Sequence, residues 1–266
     1  MKYKTKLLAD RFVQILSAWP GIECISVNEA AMPDTLDPYF ALILDVFYSA
    51  PIPPAEERRR FYGEDLLAFE SSLQAVKDRF LIADIPVRLE YKSSAKIEEL
   101  VDIAGVRLES LWLIKDSGTY VFYRLANGDI LFSRSGWIDG IRRNLEGLGD
   151  SFWEWMRSAS QSKMEHFLND LGAAYLQNDE FHYLLASAGF IKEACLTLFC
   201  VNRRFEPSHR AYYRQVLELP SLPESFPAEL ENFVHQGPEM TMKRRYSLAQ
   251  VIARGIVDFE RRSVLS

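Results

Sequence analysis

The chain has 266 residues, 48% of them hydrophobic and 13% aromatic, enough to bury the core of one large domain or two modest ones. Its 31 basic and 37 acidic residues give a net charge of -6, so no global field draws nucleic acid or an anionic membrane, and an anionic ligand needs a local cluster. Cys24, Cys195 and Cys200 include no closely spaced metal-type pair, which speaks against zinc and for a reducing compartment; with no apolar leader and no run of about eighteen apolar residues, a cytoplasmic protein is expected.

Leu8, Phe12, Ile15, Leu16 and Trp19 recur at helical spacing until Pro20-Gly21, which predicts an amphipathic helix over residues 4–19. A short strand follows over 22–27. The stretch 28–38, with two prolines and three acids, reads as a loop. Residues 39–48 are almost continuously apolar, the pattern of a central strand covered on both faces. Beyond the prolines at 51, 53 and 54, a helical region is expected from Ala55 to about Phe80, broken at Gly63, with Leu67, Phe69, Leu73, Val76 and Phe80 buried. A strand over 85–91 and a helix over 96–103 come next. Segments 111–114, 119–124 and 130–133 look like further strands, with a hairpin turn at Asn127-Gly128.

From Trp137 the period becomes helical, over about 137–147, 150–176, 178–201, 208–218 and 247–263. The expected architecture is therefore α+β, with a mixed-sheet domain over 1–135 and a helical domain over 136–266.

Asp45 stands inside the apolar strand, and a carboxylate there must be paired, hydrogen-bonded or bound to a cation. It is either a structural acid held by a cation such as Arg88 or part of a site. Glu90 alternates with Arg88 on a second strand and either faces solvent or serves as a ligand. Arg203 and Arg204, with Lys192, offer a phosphate cluster before the helix after Pro207, or a solvated face. Arg204 and His209 also have the spacing of a helical ribonuclease family, although Pro207 lies between them.

The order helix, strand, acidic loop, strand, helix, acid-bearing strand and helical domain resembles the nucleotidyltransferase superfamily, in particular its aminoglycoside-type bacterial branch. Phe181-His182-Tyr183 and Asn202-Arg203-Arg204-Phe205-Glu206-Pro207 are similar to the helical domain of such proteins. The resemblance implies a mixed-sheet nucleotidyltransferase-like domain, Mg2+ as cofactor, and transfer of a nucleoside monophosphate from a nucleoside triphosphate to the hydroxyl of an unknown small-molecule acceptor. It assigns Asp37, Asp45 and Glu90 as catalytic carboxylates, Asp37 and Glu90 as metal ligands, and Asn28, Lys192, Arg203 and Arg204 as nucleotide-binding residues in a cleft between the two halves.

The chain departs from that pattern in two places. Val27-Asn28 stands where a glycine-serine turn holds the triphosphate, and Tyr39 stands where a second carboxylate is expected two residues after Asp37. Two metals clamp the attacking and leaving oxygens in such transfers. These departures point to weak or absent magnesium-dependent transfer, and the rival reading is an inactive nucleotidyltransferase-fold protein that binds a nucleotide or a protein partner.

Overall fold

The computed structural model describes residues 3–30, 42–72, 76–113, 119–235, 237 and 239–264. The protein is α+β: a mixed six-stranded sheet with its helices, and a second unit that is helical. The two compact units divide between Gly147 and Leu148, with Thr119 and Tyr120 grouping with the second.

The first unit starts with α1 (Tyr3–Ser17) and β1 (Ile22–Ala30), followed by β2 (Leu42–Tyr48) and α2 (Ala55–Tyr62). Strands β3 (Leu67–Ser72), β4 (Lys77–Ile82) and β5 (Ile85–Ser93) lead into α3 (Ser94–Val106) and a 3-10 turn over Leu108–Leu113. Then come α4 (Tyr120–Asn127), β6 (Asp129–Ser133) and α5 (Trp137–Glu146). The sheet order is β3-β4-β5-β2-β1-β6, with β2 and β5 parallel and all other pairs antiparallel. β2 is thus interior, as its apolar run predicts, and its residues from Leu42 to Phe47 are buried.

Alternation along the strands sorts the side chains onto two faces. Ile25, Val27, Leu44, Val46, Val87, Leu89, Phe80 and Ile82 form one apolar face, on which α1 lays Ala9, Phe12 and Leu16. The opposite face carries Asp45, Phe47, Arg88, Glu90 and Lys92.

Three expectations are corrected here. The region from Ala55 to Phe80 is not a broken helix: α2 stops at Gly63, whose φ of 112° suits glycine, and a β3–β4 hairpin follows. Of the residues expected on the buried face of that helix, Leu67 is exposed, Phe80 is buried in β4 and Leu73 lies outside the described residues, whereas Asp78, Phe80 and Ile82 follow the period of two that governs burial in β4. Residues 111–113 and 120–124 are helical instead of strand, and Asn127-Gly128 closes α4, Gly128 N–H donating to Arg124 O at 3.0 Å.

The second unit contains α6 (Asp150–Gln177), α7 (Glu180–Val201), α8 (Tyr212–Leu217), α9 (Phe226–Val234) and α10 (Met242–Val264). Asn178 ends α6 in the left-handed conformation, and the Asp179 side chain caps α7 by accepting from His182 N–H at 3.0 Å. This turn folds α7 back along α6. Gly189 permits close approach there, because a Cβ at this position would lie 2.5 Å from the Phe167 ring. Leu171, Phe190, Leu198, Phe226, Phe233, Ile252 and Ile256 fill the core. Contrary to expectation, α7 is apolar enough over eighteen residues to pass for a membrane span, at a mean hydropathy of 1.7; 61% of that window is buried within the protein.

Candidate functional site

The polar center of the first unit is built on the parallel pair β2–β5. Parallel register sets Asp45 beside Glu90 and Phe47 beside Lys92. Because residues two apart share a face, Arg88, Glu90 and Lys92 line up along β5 next to the acid of β2.

Asp45 is 0% exposed, so its charge requires compensation. Lys92 Nζ lies 2.6 Å from Asp45 Oδ1, and one guanidinium nitrogen of Arg124 donates to the same oxygen at 2.6 Å. The other terminal nitrogen of Arg124 donates to Glu90 Oε2 at 2.9 Å, so one buried guanidinium bridges the two acids. Arg88, one cation considered for Asp45, instead pairs with Glu90 Oε1 at 2.9 Å. Glu90 is therefore neither simply solvated nor aimed at an outside cation. Burial pushes its carboxyl up, but Arg124, Lys92 and Arg88 outweigh that and hold it below the usual glutamate range.

Arg124 reaches this position because α4 buries Phe122 and Leu125. Arg142 of α5 then fixes the end of α4, donating from Nε to Leu125 O at 3.0 Å and from a terminal nitrogen to Gly128 O. Trp137 packs on Phe47 with ring centers 5.3 Å apart, and its indole N–H donates to Glu98 at 2.7 Å. The polar face continues onto β4, where Lys77 is in register with Glu90 and Arg79 with Arg88, and onto β3, where Glu70 is in register with Arg79. Five cations, Lys77, Arg79, Arg88, Lys92 and Arg124, thus share this region with Glu70, Asp45 and Glu90. A local positive excess sits on a protein of net charge -6.

These acids do not fit a divalent cation. Asp45 Oδ1 already receives Lys92 and Arg124, and Glu90 receives Arg88 and Arg124, so a metal would have to displace side-chain cations. Among the described residues, no group of three or more His, Cys, Asp or Glu could hold a metal ion.

The other expected site residues fall as follows. Asp37 lies outside the described residues. Asn28 is part of β1, in the break of register between Val27 and Glu29. In the second unit, Lys192 lines a cavity of about 400 Å³ together with Ala188, Ile191, Cys195, Tyr212 and Tyr213, and lies 3.7 Å from Glu193 Oε1. Arg203 has a φ of 51° and pairs with Asp150. Its N–H donates to Cys200 O and that of Arg204 to Phe199 O, the double closure of a helix end that usually places glycine where Arg203 stands. Lys192 lies nine residues, about 14 Å by helical rise, before the end of α7 at Val201, with Arg203 two residues beyond it.

Sequence reasoning missed Arg124, Lys92 and a buried network on the opposite face of the sheet. There Arg58 grips Asp78 with two hydrogen bonds of 2.8 Å, the Tyr62 hydroxyl donates to Asp78 at 2.7 Å, and the hydroxyls of Tyr62 and Tyr91 touch. Burial pushes the Asp78 carboxyl up, and its bonds with Arg58, Tyr62 and Ser71 bring it below the ordinary aspartate range. The signal available for Asp78 was its alternation with Phe80 and Ile82.

No protein-family model and no curated protein matches the sequence. Among solved structures, the crystal structure of a nucleotidyltransferase-like protein from Exiguobacterium sibiricum is similar over 98% of this chain and 76% of its own, with a TM-score of 0.49 and 13% identity.

Proposed function

We propose that this chain is a nucleotidyltransferase-like protein that binds a phosphorylated ligand, a nucleotide by preference, through its own cations and does not carry out magnesium-dependent transfer. The observation that carries this reading is the bridge of Arg124 and Lys92 across Asp45 and Glu90. In metal-dependent phosphoryl transfer, divalent ions neutralize the developing charge and align the reacting oxygens. Here side-chain ammonium and guanidinium groups lie on the two carboxylates instead. Such groups can bind phosphate oxygens, arginine in two-pronged fashion, but while protonated they cannot take the proton of an attacking hydroxyl. Arg79, Arg88 and Lys77 extend the same positive face and are more accessible than Arg124, which suits them to contact an anion.

The test is calorimetric titration of ATP and GTP in EDTA and in magnesium. Affinity independent of magnesium is expected, reduced at least about tenfold in the double variant Arg79→Ala/Arg88→Ala, the loss expected for one or two charge-assisted hydrogen bonds. Robust magnesium-dependent release of pyrophosphate, abolished by Asp45→Asn, would overturn this reading.

A further inference from the structure

The exposed face of α7 is apolar where a surface helix is ordinarily polar. Phe181 is 73% exposed, Leu184 62% and Leu185 55%, and Ala188 continues the stripe at positions i, i+3, i+4 and i+7. One further turn along, the same face enters the cavity of about 400 Å³ lined by Ala188, Ile191, Cys195, Tyr213, Leu230 and Val234. A projecting aromatic ring and an apolar hole thus lie on one helix face, ten residues or about 15 Å apart. Contiguous exposed apolar patches on soluble proteins usually mark interaction sites.

We propose that this face pairs with the same face of a second copy of the chain, α7 against α7 in antiparallel orientation about a two-fold axis at the level of Ala186. The pattern is self-complementary, which a two-fold contact requires. Reversing the helix about that level sets Leu184 opposite the small Ala188, where close helix approach is possible. It sets Phe181 opposite Ile191, so the ring of each copy enters the other copy's cavity, an aromatic anchor in an apolar pocket. It also sets Glu180 opposite Lys192, placing opposite charges at both ends of the stripe; Lys192 lies 3.7 Å from Glu193 Oε1, and with three N–H donors its ammonium can serve a second carboxylate as well. A partner helix of unrelated sequence would need to reproduce both the knob and the charge order, and the chain itself already carries them.

Sedimentation velocity on the full chain from 1 to 100 µM tests this, with concentrations chosen to span micromolar dissociation constants. A concentration-dependent dimer is expected. Phe181→Glu should weaken it at least about tenfold while leaving the circular dichroism spectrum unchanged, because that side chain is exposed. Glu180→Lys and Lys192→Glu should each weaken the dimer, and their combination should restore it. A monomer throughout the range would overturn the proposal, as would a dimer indifferent to Phe181→Glu or one that the charge-reversed pair fails to restore.

Discussion

Replacing Arg124 with alanine removes the guanidinium that joins Asp45 to Glu90. The Asp45 side chain is 0% exposed and that of Arg124 7%, so solvent screening does little to diminish their interaction. Breaking a buried pair by deleting one partner costs about 3–5 kcal/mol, because the remaining charge stays desolvated. Lys92 stays 2.6 Å from Asp45 and offsets part of this, which puts the expected loss near the lower end, about 3 kcal/mol. That is a large share of a total stability of about 5–15 kcal/mol. In urea, where slopes run at about 1–3 kcal/mol per molar, the midpoint of the first unit's transition should fall by roughly 1–3 M. Adding Asp45→Asn should recover part of the loss by removing the stranded charge, and the double-mutant cycle should give a coupling above about 1 kcal/mol. A loss below about 1 kcal/mol for Arg124→Ala, with no coupling to Asp45, would refute the view that this bridge neutralizes a buried acid.

The acid limb of stability should depend on Glu90 and Asp78. Both carboxyls lie below their ordinary values of 4.5 and 3.8 in the folded protein, so the unfolded chain binds more protons, stability is full above those values, and it falls as pH drops through the folded ones. Urea midpoints measured from pH 6 down to pH 2.5 should decline, and Glu90→Gln should flatten the decline; an unchanged profile would count against the ion-pair assignment. In the second unit, Glu193 is buried with no hydrogen-bond partner for Oε2 among the described residues, and burial raises its carboxyl above the ordinary range. Here the folded state binds the proton more tightly, so wild-type stability declines as pH rises through the raised value. Glu193→Gln should remove that decline and gain about 1 kcal/mol at pH 8, read from thermal and urea melts; a destabilized variant would show that the charge is compensated.

The sequence by itself determined the layered plan. Apolar residues every three or four positions defined α1, α6, α7 and α10 as helices, and an unbroken apolar run defined β2 as an interior strand, because these patterns follow the period of the backbone itself. It also marked Asp45 as an acid needing a partner. Short segments were less legible. Residues 120–124 are too few to distinguish a buried strand from one helical turn, and 67–72 and 77–82 carry apolar residues compatible with either period until β3 pairs with β4 and β4 with β5. Tertiary structure alone decided the partners. Arg124 is 79 residues from Asp45 and meets it only because α4 brings it to the β2–β5 pair, and Arg58 meets Asp78 only because α2 lies against the opposite face of β4. Charge pairing between segments distant in sequence leaves no local period, so the cations that neutralize Asp45 and Glu90 emerge only once the chain is folded.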